Sequence, residues 1–254
     1  MSQIAPEVVD CHVHLTPGGQ VLEPRLISAA QRHRAVLCCS SLGARWTYDP
    51  PPKHFVDAND ALLREMAAHP DLLMGFCYVN PRYVEASLDE LDRCVRDGGM
   101  CGVKFWVGVP YSDPAVDPVV ERIRELGVPI LAHAWHKATG NLPGESRPED
   151  VAALARRFPE VPIVMAHLGG DWERGVKAVR GLENVFVDTG GSLVEAGSVE
   201  AVVAAVGEDR VVFGSDSPGV DWYVALGKVL GARIGREAKE KVLLRNMMRL
   251  LGLP

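Results

Sequence analysis

A chain of 254 residues with 47% hydrophobic and 24% charged side chains has the size and balance of one large globular domain, near the usual length of an α/β barrel. No apolar stretch reaches the roughly 18 residues of a membrane span, which argues against a membrane protein. The formal net charge of −6, with no basic run or aromatic-basic stripe, argues against a nucleic-acid partner.

The N-terminus has no basic segment followed by a long apolar run, so no secretory signal is expected and a cytoplasmic location is. The six cysteines, Cys11, Cys38, Cys39, Cys77, Cys94 and Cys101, lack a C-x-x-C spacing and mostly lie in apolar runs. They read as reduced core residues.

Eight short, apolar, β-branched runs follow one another: Val8–Leu15, Ala35–Ser41, Leu72–Asn80, Gly102–Val109, Pro129–Trp135, Pro162–Leu168, Val185–Thr189 and Val211–Asp216. Nearly continuous apolar strands are expected where helices cover both faces of a parallel sheet. The intervening segments supply those helices. Leu88, Leu91 and Val95 share one helical face, Val119, Ile123 and Leu126 another, and Val151, Leu154, Ala155 and Phe158 a third. Pro148 opens one helix, Gly127 follows another, and Asp171 reads as an N-cap. The unit repeats about every 30 residues, as a βαβ series does. Eight alternating units predict one (β/α)8 TIM barrel over residues 1–254; an open doubly wound sheet competes, but no G-x-G-x-x-G follows the first strand. Val242, Leu243, Met247, Leu250 and Leu251 form an additional C-terminal helix that covers the barrel wall or its N-terminal end. Two long connections, Leu42–Asn59 and His136–Ser146, follow strands and should lie over the mouth.

In Asp10-Cys11-His12-Val13-His14, the two histidines are two apart on a strand and share a face. A pair of imidazoles there can bind one cation, although an isolated H-x-H also suits two core histidines satisfied by backbone groups. His133, His167 and Asp216 fall near the ends of the fifth, sixth and eighth runs. A barrel brings strand C-termini to one rim, so these groups should converge. His33 and His69 near helix ends, and His54 in a loop, read as solvated or dipole-stabilising residues.

D-x-H-x-H on the first strand, single histidines on the fifth and sixth (the latter in His167-Leu168-Gly169-Gly170), and Gly214-Ser215-Asp216-x-Pro218 on the eighth together resemble the amidohydrolase superfamily. More narrowly they resemble its amidohydrolase-related branch, which includes aminocarboxymuconate-semialdehyde decarboxylase. The resemblance runs from Val9 to the terminal helix. It implies that His12, His14, His133 and Asp216 hold one divalent ion, zinc by preference, with His167 beside it. It further implies a metal-activated water, with Asp216 taking its proton and His167 polarising a carbonyl or acting as an acid–base group. An unmodified, inward-pointing Lys104 would pair with Asp216 or a substrate carboxylate, the alternative being a lysine snorkelling to the rim. Arg45 and Trp46 would grip a carboxylate and a planar ring. Asp188 orients a neighbour or caps a turn, the latter preferred.

The first functional expectation is a hydrolase acting on a small cyclic or carboxylated substrate. Its rival is non-oxidative decarboxylation of an unsaturated or aromatic acid, and a third reading is a metal-stabilised binding barrel without turnover. A small molecule is the expected partner; a homo-oligomer is compatible with the sequence, which leaves oligomeric state open.

Overall fold

The computed structural model describes residues 6–254. Strands and helices alternate as β1 (Val8–His14), α1 (Pro24–Arg32), β2 (Ala35–Ser40), α2 (Pro52–Ala68), β3 (Leu73–Val79), α3 (Val84–Leu91), β4 (Gly102–Phe105), α4 (Asp117–Leu126) and β5 (Ile130–Ala132). They continue as α5 (Pro148–Arg157), β6 (Ile163–Met165), α6 (Trp172–Val179), β7 (Val185–Asp188), α7 (Ser198–Val206), β8 (Val211–Val212), α8 (Trp222–Gly231), α9 (Arg236–Glu240) and α10 (Asn246–Leu250). All neighbouring strands pair in parallel, in the order β1 to β8. Between β8 and β1 the barrel closes through three backbone bonds: Cys11 N–H to the Phe213 carbonyl (2.9 Å), Asp216 N–H to that of His12 (2.8 Å) and His14 N–H to that of Ser217 (2.7 Å).

Sequence dictates this closure locally. Every residue of β1 is buried, because helices cover its outer face and other strands its inner one. One apolar cluster lies between sheet and helices, and a second fills the barrel with Val9, Cys11, Cys38, Phe76, Leu131, Val164, Ala166 and Val212. Helix ends follow the expected chemistry. Asp171 accepts the Arg174 N–H at 3.2 Å as the N-cap of α6, and Gly127 ends α4 at φ 68°, a conformation that costs glycine little.

A π-helical turn, Lys241–Arg245, joins α9 to α10. The Val242 carbonyl accepts the Phe213 N–H at 2.8 Å, and Met247 enters the barrel-filling cluster among residues near the strand starts. This terminal helix therefore closes the N-terminal end of the barrel, the end away from the histidines.

Several predicted elements contract or shift. Strands β4, β5, β6 and β8 are shorter than their apolar runs; after β6 the chain passes at once into a 3-10 turn, Ala166–Gly169, in which His167 and Leu168 are left-handed. His54 is not in a loop: α2 begins at Pro52, since proline is tolerated in the first helical turn, and the His54 Nε2 lies 2.9 Å from the Leu42 carbonyl.

Candidate metal centre and active site

At the C-terminal mouth, β1 carries a one-residue irregularity. Asp10 pairs with Leu37 and Val13 with Cys39, so β1 advances three residues while β2 advances two. Asp10 accounts for it. One carboxylate oxygen accepts the N–H groups of His12 (3.1 Å) and Ser215 (3.0 Å), and the other accepts the Trp222 indole N–H (3.0 Å). The first residue of D-x-H-x-H thus binds β1, the segment after β8 and α8 together. Beyond the irregularity His12 and His14 both turn into the barrel.

Hydrogen-bond partners settle where their protons sit. The His12 Nδ1 lies 2.7 Å from Asp188 Oδ2. An ionised carboxylate only accepts, so Nδ1 carries the hydrogen and Nε2 of the neutral ring presents a lone pair. His14 Nδ1 lies 3.0 Å from Ser40 Oγ and 3.4 Å from the Ser40 carbonyl, which likewise favours a hydrogen on Nδ1 and a lone pair on Nε2. Burial depresses His14 to about 4, so at neutral pH its ring is uncharged. These two Nε2 atoms are 3.1 Å apart, and Asp216 Oδ1 lies 3.6 Å and 3.4 Å from them. Two lone pairs and a carboxylate converging on one point repel one another unless positive charge lies among them, and the Lys104 ammonium, 3.0 Å from His12 Nε2, supplies part of that charge. The donor set of two imidazole nitrogens and a carboxylate oxygen fits a divalent cation.

Around this triad stand His167, Asp188 and Lys104. His167 Nδ1 lies 3.7 Å from Asp216 Oδ2, is buried and has no hydrogen-bond partner. Burial opposes charge on Asp216, but the imidazoles of His167, His14 and His12 outweigh it and hold the carboxyl well below the usual range. Asp188 does both things considered for it. One oxygen orients His12, and the other accepts the N–H groups of His167 and Gly190, both at 2.8 Å. Lys104 is buried and points inward, so it does not snorkel to the rim. Its Nζ donates to His12 Nε2 at 3.0 Å, and the Asp216 carboxylate of the expected pairing acts on it through its charge. Burial pulls its ammonium down to about 8, against the opposing charges of Asp216 and Asp188.

His133 stands apart from the close triad. Its Nε2 is 3.0 Å from Glu145 Oε1, and its Nδ1 is 3.2 Å from His167 Nε2. Glu145, which sequence motifs miss, also takes both its oxygens to Lys137 Nζ at 2.7 and 2.8 Å.

Glycine and left-handed residues allow this crowding. His167, Leu168 and Asp216 have φ of 62°, 53° and 64°, strained values of the kind that persist where surrounding contacts enforce them. At Gly214 a Cβ would come within 2.9 Å of the His12 Cβ, and at Gly170 within 2.5 Å of Trp135.

Above the polar group is a cavity of about 240 Å³, lined by His14, Lys104, His133, His167 and Asp216 below and by Trp46, Tyr48, Trp106, Trp135, Lys137 and Glu145 above. The two long connections do lie over the mouth. Trp46 and Tyr48 are half-exposed, and Tyr48 meets Trp106 with ring centroids 5.5 Å apart. Arg45 is exposed and does not line the cavity.

The family model for amidohydrolases matches residues 9–253. A 2-amino-3-carboxymuconate-6-semialdehyde decarboxylase of Dictyostelium discoideum is 24% identical over 237 residues, covering 77% of this chain and 65% of the relative. The chain therefore spans a little under two thirds of that protein's length. A gamma-resorcylate decarboxylase of Rhizobium sp. (strain MTP-10005) is 23% identical over 241 residues, covering 70% of this chain and 72% of the relative. Among solved structures, a dihydroxybenzoic acid decarboxylase of Polaromonas sp. JS666, with bound manganese and the inhibitor 2-nitroresorcinol, superposes with a TM-score of 0.76 at 16% sequence identity, covering 98% of this chain and 97% of that one. Matched along nearly its whole length, the chain belongs to the amidohydrolase family of enzymes, in the branch that includes aminocarboxymuconate-semialdehyde decarboxylase.

Proposed function

We propose that this protein is a metal-dependent carboxy-lyase that removes carbon dioxide from an unsaturated or aromatic acid without oxidation. The observation that carries the reading is a small cavity with indole and phenol walls standing directly on the histidine–carboxylate group. Both curated relatives are decarboxylases by name, which favours this reading over the hydrolysis expected first.

His12, His14 and Asp216 would hold one divalent ion, with His133 as the further ligand the resemblance implies. Zinc suits the nitrogen-rich donor set, and manganese, bound in the Polaromonas relative, suits the carboxylate. When bound, the cation supplies a Lewis acid that fixes an anionic substrate and stabilises charge developing on it. Trp106 and Trp135 would orient the substrate plane, and Trp46 would cover it from the rim. Lys104 would face the substrate's anionic groups from the barrel floor. His167 and Asp216, 3.7 Å apart, would carry the proton that replaces carbon dioxide on carbon. The balance is simple: the C–C bond breaks, carbon dioxide leaves, the bond's electron pair stays on the substrate carbon, and one proton taken up from solvent and passed on by these two residues fills the vacated position.

The test is to measure bound metal in the purified protein by elemental analysis, then incubate zinc- and manganese-loaded enzyme with hydroxylated benzoates and with lactones. The expected result is stoichiometric carbon dioxide and the decarboxylated arene. Lactone opening by water, without carbon dioxide from any acid, would return the protein to the hydrolase class.

A further inference from the structure

The His136–Ser146 connection places a carboxylate where none of the family-like motifs put one. Glu145 is buried, yet it sits against the cavity and makes four close contacts: His133 Nε2 at 3.0 Å, Lys137 Nζ at 2.7 and 2.8 Å, and the Leu142 backbone N–H at 2.9 Å. Every one of these partners is a donor toward it. A carboxylate accepts only, so His133 has its hydrogen on Nε2 and, in the neutral ring, its lone pair on Nδ1.

That lone pair points away from Glu145, toward His167, whose Nε2 is 3.2 Å from it. His133 thereby repeats the arrangement seen at His12, where Asp188 fixes one ring nitrogen and turns the lone pair of the other toward Lys104, His14 and Asp216. Buried carboxylates in this relation to a histidine orient the ring and raise its basicity toward a metal. Lys137 supplies the countercharge, so the arrangement adds no net charge to the cavity.

We propose that Glu145 is a positioning residue for the metal centre, holding His133 in the Nε2–H tautomer so that Nδ1 is the atom presented to the cation. This rests on the reading of the mouth as a metal centre. Loss of the carboxylate frees the ring to rotate and to exchange tautomers, and the metal then meets a ligand that is correctly set only part of the time.

The experiment uses the full chain as wild type, Glu145→Gln and Glu145→Ala. Dissociation constants for Zn2+ and Mn2+ are measured by competition with a chelating dye, and ring-nitrogen NMR of the metal-free proteins reports the His133 tautomer. The wild type should show hydrogen on Nε2. Glu145→Ala should bind metal on the order of 10–100-fold more weakly and show mixed tautomers. Glu145→Gln, whose amide oxygen can still accept from Nε2, should fall between the two. Should the alanine variant not fold, the near-isosteric glutamine variant decides, and a loss of affinity with a shifted His133 signal is required of it. Unchanged affinity in the folded variants, or hydrogen on Nδ1 in the wild type, would overturn the assignment. A wild type that binds neither metal would remove the metal-centre reading instead, a result separable from this one because the tautomer is read without metal.

Discussion

Asp188 serves three groups at once: the His12 ring and the N–H groups of His167 and Gly190. Burial works against its charge, yet the His12 and His167 contacts outweigh that and hold it down to about 2. It is a fixed anion that sets the direction of two histidines from different strands. Sequence alone left its role divided, since an aspartate before Thr189-Gly190-Gly191 has a sufficient local explanation as a turn cap. Its long-range partner exists only once the barrel closes. Glu145 was illegible for a related reason: nothing in Gly144-Glu145-Ser146 shows that the connection folds back onto His133. By contrast His12, His14, His167 and Asp216 were legible because each sits at a strand end, where topology alone forces convergence. Tyr111, farther out, offers a test at the same scale. It is buried, its hydroxyl donates to the carbonyl of Trp106 at 3.0 Å, and burial raises its phenol well above 10. In the unfolded chain the phenol ionises near its ordinary value of about 10, whereas in the fold it stays protonated. Its contribution is therefore complete below pH 10 and is lost as pH rises beyond that, by about 1.4 kcal/mol for each pH unit. Tyr111→Phe should lose about 1 kcal/mol at pH 7 with the hydrogen bond and then decline less steeply from pH 10 to 11. Urea unfolding at the two ends of that range measures both, and parallel declines in wild type and variant would contradict the argument.

Among elements, the terminal helix shows how far periodicity reads. Its apolar face was visible in Val242, Met247 and Leu251, and so was its role as packing. Which end of the barrel it covers was not, because a face has no address until its partner surface is known. Met247 settles it, entering the interior cluster with Val9, Phe76 and Val212. The helix begins the chain's last stretch far from the mouth, so its packing and the chemistry should separate. Met247→Ala removes a fully buried side chain from a filled interior and should cost roughly 2–5 kcal/mol. Denaturant unfolding should record that loss, while metal affinity of the folded fraction stays within about twofold of wild type, the scatter expected of distant sites. A large drop in affinity at full folding would mean that the two ends of the barrel are coupled. Strand ends read less well than strand centres. An apolar run cannot show where a ladder stops and an inward turn begins, and β8 keeps only Val211–Val212 of its run.

On the scale of the whole molecule, the seam between first and last strands is the place where distant chain segments meet with little help from the ladder. Three backbone bonds span it, and Asp10 braces it through Ser215 and Trp222. His12 and His14 stand on one side of this seam and Asp216 on the other. A cation shared by them would be a staple across it, binding the native barrel and not the unfolded chain, in which some 200 residues separate the ligands. Mass action then gives the size of the effect. At a metal concentration about 100 times the dissociation constant, the folded state gains roughly 2.7 kcal/mol. For a domain of this size each kcal/mol moves the melting temperature by about 2–4 °C, so saturation should raise it by roughly 5–11 °C. Differential scanning fluorimetry with zinc or manganese, against the same protein in EDTA, measures it. The double variant His12→Ala, His14→Ala should melt at one temperature in both solutions, since it lacks the ligands on one side of the seam. An equal rise in wild type and double variant would place the stabilising ion elsewhere on the surface and leave the seam held by its hydrogen bonds.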